Sequence, residues 1–392
     1  MTVYEDALKL HEENRGKLAA ASKVPLENAR DLSLAYTPGV AQPCVEIHRD
    51  KENSYRYTSR WNTVAVVTDG TAVLGLGDIG PEAALPVMEG KALLMKKFGN
   101  LDAWPICLDT KDPDEIVSIV KALAPGFGAV NLEDISAPRC VTIERRLIEE
   151  CGIPVFHDDQ HGTAIVVTAA LINCLRLIDK KPEDLKVVIS GAGAAGSSIA
   201  RMLYHYGFRR IYVFDSKGLV GRRTLKNPSP LKAELFEFTN PDDQAYANIA
   251  EALKGADVFI GVSAPNLLSE EMVASMSEKN IVFPMANPEP EISYDACKRA
   301  GAYIVGTGRS DYPNQVNNLL AFPGIFRGAL DYKATRISEN MKMAASKAIA
   351  SLISEEELTP DHVIVSPFDE RVVSAVAKAV GEMAVQEGFV RK

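Results

Sequence analysis

The sequence predicts an α/β protein of two domains: an N-terminal, largely parallel α/β domain over residues 1–160, and a C-terminal doubly wound Rossmann-type domain over 161–392. Three observations carry that expectation. The chain has 392 residues, long for one hydrophobic core. Short continuous apolar runs recur in both halves with helical segments between several of them, the pattern of parallel strands covered on both faces. A strand in the second half runs directly into Gly191-Ala192-Gly193-Ala194-Ala195-Gly196 and then into a helix.

Bulk properties narrow the class. A net charge of −9 argues against a nucleic-acid partner. The N-terminus carries Glu5 and Asp6 and no apolar run, so no signal peptide is read there. The longest apolar stretch, about 162–175, is short for a bilayer and is followed by Arg176. Six cysteines without a CxxC pair fit reduced thiols, so a cytoplasmic protein with no membrane partner is expected.

Taken in order, residues 4–22 read as an amphipathic helix, and Leu32 to Val40 as a turn built on Pro38 and Gly39. Apolar runs then end in acid or glycine: 64–67 before Asp69, 72–76 before Asp78, 104–108 before Asp109, 129–132 before Glu133-Asp134, and 153–156 before Asp158-Asp159. In open α/β sheets ligands sit beyond the carboxyl ends of strands. Glu133-Asp134 and Asp158-Asp159 are therefore candidate ligands for a hard cation such as Mg²⁺ or Mn²⁺, which takes oxygen donors.

A helix is expected from about Glu82 to Phe98. Ala84, Met88, Lys91, Met95 and Phe98 share its buried face, at steps of four, three, four and three. A lysine there must be paired or deprotonated, and beside Asp158 or Asp159 it would be a candidate general base. Burial is expected to lower its pKa, and a nearby Asp158 to pull the other way. The turn 156–163 leads from a strand at 153–156 into an apolar helix at 164–178.

The second half opens with the strand 185–190 and the glycine-rich turn. Its glycines suit a tight turn, close approach of backbone to a pyrophosphate, and helix–strand packing. The next strand, 211–214, ends in Asp215, which suits the adenosine ribose of NAD; Ser216 and Lys217 suit the 2′-phosphate of NADP. The balance leans slightly to NAD. Strands at 257–260, 280–283 and 302–305 complete the sheet, and 216–244 is an insertion. Loops bearing Asn287 and Asn317-Asn318 follow later strands, and 326–392 is mainly helical, ending in a helix from about 370 to 386.

Together these residues resemble the malic enzyme family, in its short prokaryotic-type form. Tyr36-Thr37-Pro38-Gly39-Val40-Ala41, Leu74-Gly75-Leu76-Gly77-Asp78, Glu89-Gly90-Lys91-Ala92, Leu132-Glu133-Asp134, Asp158 to Ala164 and Phe322-Pro323-Gly324 stand in family order across nearly the whole chain. The resemblance implies oxidative decarboxylation of L-malate to pyruvate and CO₂ with NAD or NADP and a divalent metal, in a homodimer or larger assembly. It implies that Tyr36 is the general acid, Lys91 the general base, and Asp158 the carboxylate paired with that lysine. Glu133, Asp134 and Asp159 would bind the metal; Asn287, Asn317 and Asn318 would contact malate, and Asn287 and Asn318 the nicotinamide as well. Larger members carry a carboxylate-gripping arginine after the Thr68-Asp69-Gly70 segment, where this chain reads Thr71-Ala72-Val73. The rival readings are a non-decarboxylating dehydrogenase of another 2-hydroxy acid and a non-catalytic dinucleotide sensor.

Overall fold

A computed structural model describes residues 2–73 and 75–391. It holds two sheets. The first has four parallel strands in the order β2-β1-β3-β4: β1 (Thr63–Thr68), β2 (Asp102–Cys107), β3 (Ala129–Leu132) and β4 (Val155–His157). The helix Pro81–Gly99 packs against β1 and β2 on one face, and Ile116, Val117, Ile143 and Leu147 of the helices Pro113–Leu123 and Arg139–Glu150 cover the other. With both faces covered, β1, β3 and β4 are fully buried and read as unbroken apolar runs.

The second sheet comprises β5 (Lys186–Ser190), β6 (Arg210–Asp215), β7 (Gly218–Leu219), β8 (Val258–Gly261), β9 (Ile281–Pro284) and β10 (Ile304–Val305), in the order β10-β9-β8-β5-β6-β7. Counted from β5 this is 3-2-1-4-5-6, the dinucleotide-binding order, with its reversal between β5 and β8. The third position departs from the expected parallel strand. It is a two-residue antiparallel return from β6, because the chain turns at once into the irregular segment 216–244.

Three expectations need correction. The run 72–76 is not a strand. Gly75 and Gly77 take φ of 76° and 78°, which folds the segment into a loop; Leu74 lies outside the described residues. The first helix is Val3–Asn14 rather than 4–22, ended by left-handed conformations at Arg15 and Gly16. The helix after β4 starts at Asp158, so the acidic pair forms its first turn. At 21 residues that helix, Asp158–Ile178, is long and apolar enough to cross a membrane, but most of it is buried inside the protein. Its side chains join the first sheet, the second sheet and the C-terminal helices Phe322–Asp331, Glu339–Ala350 and Arg371–Gln386 into one apolar cluster.

Candidate active site

The carboxyl ends of β1, β3 and β4 open toward the glycine-rich turn after β5, and a cleft of about 960 Å³ lies between them. It is lined by Lys91, Glu133, Asp134 and Asp159 from the first sheet's side. Ala194, Ala195, Asn287, Asn317 and Asn318 line it from the second.

Lys91 is the buried lysine that the helical stripe predicts, 8 % exposed beside Ala84, Met88 and Met95. Its Nζ donates to Asp158 Oδ2 at 2.6 Å, lies 2.9 Å from Glu133 Oε1, and sits 4.3 Å over the Phe322 ring. Of the two opposing effects expected on its pKa, the carboxylates prevail over burial. Burial does push the ammonium down, but Asp158 and Glu133 together outweigh it, and the net shift is upward. Lys91 is thus a charged, paired group in this state. Desolvating an ammonium costs several kcal/mol and is tolerated here only because two carboxylates and a ring face share it.

Asp158 is fully buried at the first turn of its helix, where the helix N-terminus favours an anion. Burial pushes its carboxyl up to about 7, against the pull of Lys91. Asn318 Nδ2 donates to Oδ2, while Oδ1 is buried with no hydrogen-bond partner. Gly162 makes room for this carboxylate: a Cβ there would lie 2.0 Å from Asp158 Oδ1.

Glu133, Asp134 and Asp159 bring one carboxylate oxygen each to within 4.8 Å of one another. Asp134, at φ 54°, donates its N–H to Asp159 Oδ2 at 2.8 Å, and Asn131 Nδ2 donates to Glu133 Oε2 at 2.7 Å. Burial first, then mutual repulsion, pushes Glu133 up to about 7 and Asp134 up to about 8; burial pushes Asp159 up to about 6, with Asp158 adding to it. Asp134 Oδ2 is buried without a partner. Three acidic groups held this close, one oxygen unsatisfied, fit a hard cation.

The nucleotide side has a second cleft of about 450 Å³, lined by Gly191, Ala192, Gly193, Asp215, Ser216 and Lys232 among others. Gly191 takes φ 113°, and a Cβ there would meet Val262 O at 2.5 Å; at Gly193 it would meet nothing within 4 Å, leaving the turn open for a close ligand. Asp215 already accepts the Lys217 N–H at 2.7 Å and Lys232 Nζ at 2.5 Å.

Tyr36 is not brought to this cleft. It ends the short helix Ala29–Ala35 and is 66 % exposed, and it is not among the residues lining either cleft. Two residues that sequence reasoning missed are prominent. Lys232, on the helix Pro230–Leu235 of the insertion, carried no periodic signal. Glu144 is buried and binds the His157 N–H, Gln160 and His161, tying down the turn that presents Asp158. The stripe that exposed Lys91 was available for it: Cys140, Glu144 and Leu147 fall at steps of four and three, all buried.

Residues 15–148 match the family model for malic enzyme, N-terminal domain, and residues 160–385 that for malic enzyme, NAD binding domain. The bifunctional malic/malolactic enzyme of Bacillus subtilis is 58 % identical over 391 residues, covering 100 % of this chain and 95 % of that protein. An NADP-dependent malic enzyme of Salmonella typhimurium is 46 % identical over 99 % of this chain and 53 % of its own length. Among solved structures, the NAD-dependent malic enzyme of Thermotoga maritima superposes with a TM-score of 0.92 at 49 % identity, covering 96 % of this chain and 99 % of that one. With both family models matched in order and the convergent acidic cleft between the two sheets, the chain belongs to the malic enzyme family.

Proposed function

We propose that this chain is a cytoplasmic enzyme that oxidises L-malate to pyruvate and CO₂ with reduction of NAD or NADP. The observation that carries this reading is the joining of Lys91, Asp158 and the three-carboxylate cluster to the dinucleotide turn in one cleft. Residues 1–160 form the substrate and metal domain in this reading, and 161–392 the dinucleotide domain. Glu133, Asp134 and Asp159 would hold Mg²⁺ or Mn²⁺, which would supply Lewis acidity to the substrate oxygens, and a bound nicotinamide would supply the hydride acceptor.

The chain's own groups divide the proton work. Asp158 Oδ2, 2.6 Å from Lys91 Nζ, is the group placed to relay the lysine's proton, which must leave before Lys91 acts as the base. Lys91 Nζ then receives the proton of the malate hydroxyl as hydride departs. Asn318, bonded to Asp158, and Asn287 and Asn317 on the opposite wall orient the substrate. Tyr36 protonates carbon after CO₂ has left, and it does so within an assembly: Leu32, Leu34, Tyr36 and Val40 are exposed together near the N-terminus, a surface for a second copy. The Lys232–Asp215 pair supports use of both nucleotides, since Asp215 suits a 2′-hydroxyl and Lys232 a 2′-phosphate.

Purified protein given L-malate, Mn²⁺ and either nucleotide should release CO₂ and pyruvate stoichiometrically. Oxaloacetate accumulating without CO₂ would show a plain 2-hydroxy acid dehydrogenase instead. Sedimentation at working concentration should give at least a dimer mass.

A further inference from the structure

The cleft's charge does not balance for a dicarboxylate. Four carboxylates, Glu133, Asp134, Asp158 and Asp159, stand in or beside it, and Lys91 is committed to two of them. A bound divalent cation would offset one end of a dianion, the hydroxyl and its adjacent carboxylate. The far carboxylate still needs a positive partner, because a buried anion without one is costly. Among the described residues, the loop after β1 brings Ala72 and Gly75 to the cleft wall, and no cation.

One further cation lines the cleft, near the Glu89 carboxylate but with no salt bridge to it. Lys17 reaches it from the N-terminal segment and makes no ion pair among the described residues. It is anchored at both ends on the helix that carries Lys91. Its backbone N–H donates to Glu89 Oε2 at 3.0 Å, and its Nζ donates to the Pro86 carbonyl at 2.6 Å. Gly16 lets the chain press this close: a Cβ there would lie 2.9 Å from Glu89 Oε1. Nζ lies 3.7 Å from where a Cβ on Gly90 would stand, one residue before Lys91. An ammonium has three N–H donors, so two are left for a ligand. His11 lines the same cleft; its Nδ1–H donates to the Ala7 carbonyl at 2.7 Å and its Nε2 is buried without a partner, further polar capacity in the N-terminal segment.

We propose that Lys17 Nζ grips the substrate carboxylate remote from the metal cluster, and so selects a dicarboxylate over a monocarboxylate 2-hydroxy acid. The inference rests on the malate reading above. That carboxylate is the one lost as CO₂, so its ion pair with Lys17 is strongest in the bound ground state and fades as the carbon–carbon bond breaks. Removing the pair therefore weakens binding without raising the barrier from the bound complex.

Steady-state kinetics of the full-length enzyme at saturating Mn²⁺ and nucleotide read this directly. Lys17→Met keeps the stem and removes the ammonium. Its KM for malate rises by roughly tenfold or more, the scale of one charge-assisted contact, while kcat stays within about twofold and the nucleotide KM does not move. Lys17→Arg recovers most of the malate affinity. The inhibition constant of 2-hydroxybutyrate, which carries a methyl where malate has its remote carboxylate, is the same in wild type and Lys17→Met. Lys17→Gln, which retains a donor for the Pro86 carbonyl, gives the same comparison should Lys17→Met fail to fold. An unchanged malate KM overturns the assignment. So does an equal loss for malate and 2-hydroxybutyrate, which marks general damage to the cleft. Wild-type turnover of malate is scored separately: its absence removes the malate reading itself, whatever Lys17 does.

Discussion

Gly162→Ala separates the fold from the chemistry more sharply than any change to a charged residue. Gly162 lies inside the helix Asp158–Ile178, where alanine is favoured over glycine by about 1 kcal/mol. The added Cβ would stand 2.0 Å from Asp158 Oδ1 and 2.9 Å from the Asn318 Cβ. Ordinary contact begins near 3.4 Å, so the carboxylate must retreat by about 1.4 Å. Its other oxygen is held by Lys91 at 2.6 Å and by Asn318, and it cannot retreat that far and keep both. A misplacement of about 1 Å at a catalytic group costs on the order of 100-fold in rate. The expected result is a kcat/KM for malate lower by about 100-fold, with the melting temperature within a few degrees of wild type and nucleotide binding intact. Kinetics, thermal unfolding and nucleotide titration on one preparation check all three. Full activity in Gly162→Ala would refute the view that the Asp158–Lys91 geometry is needed.

Further outcomes follow from the two clefts. Chelation with EDTA should abolish malate oxidation and Mn²⁺ restore it. Because burial holds Glu133, Asp134 and Asp159 up at about 7, 8 and 6, a cation must displace protons, so Mn²⁺ affinity should climb from pH 6 to 8 with proton release by calorimetry; a flat affinity contradicts the cluster. The same raised carboxyls, protonated more readily in the folded state, make the metal-free protein lose stability as pH rises from about 4 toward 8, a loss Mn²⁺ should reverse in thermal melts. Lys91→Ala should lose malate oxidation and oxaloacetate reduction alike, whereas Tyr36→Phe should keep more oxaloacetate reduction than pyruvate formation; equal losses in both assays would leave a shared proton relay as the better account. Lys232→Ala should weaken binding of 2′,5′-ADP more than that of 5′-AMP, and Asp215→Ala should do the reverse; identical ratios in all three proteins would remove the pair from nucleotide selection.

Much of the molecule was legible locally. Strand after strand ends where its apolar run meets an acid or glycine, because buried parallel strands need apolar side chains on both faces and polar loops at their ends. The glycine-rich turn is legible because each of its constraints acts within six residues. Lys91 is legible because helical periodicity places it on a face whose other members are apolar, and Glu144 would have yielded to the same test. What periodicity could not supply is the partner of each buried charge. Lys91 finds Asp158 across 67 residues and Asn318 finds Asp158 across 160, and the approach of Asp158 and Glu133 to Lys91 sets the sign of the lysine's shift. From sequence, burial and a nearby Asp158 pull the pKa in opposite directions; in three dimensions Asp158 and Glu133 together decide it upward. Tyr36 is the opposite case, a residue marked by its motif that one chain leaves on the surface. Lys17 lies beyond the true end of a helix that the sequence overextends and Lys232 in an insertion with no regular pattern, so only the folded chain brings one against Gly90 and the other against Asp215. The sequence determines which groups are available and which faces are buried. The tertiary structure decides which charges meet, because electrostatic energy in a low-dielectric cleft depends on separations of a few ångströms that no local pattern encodes.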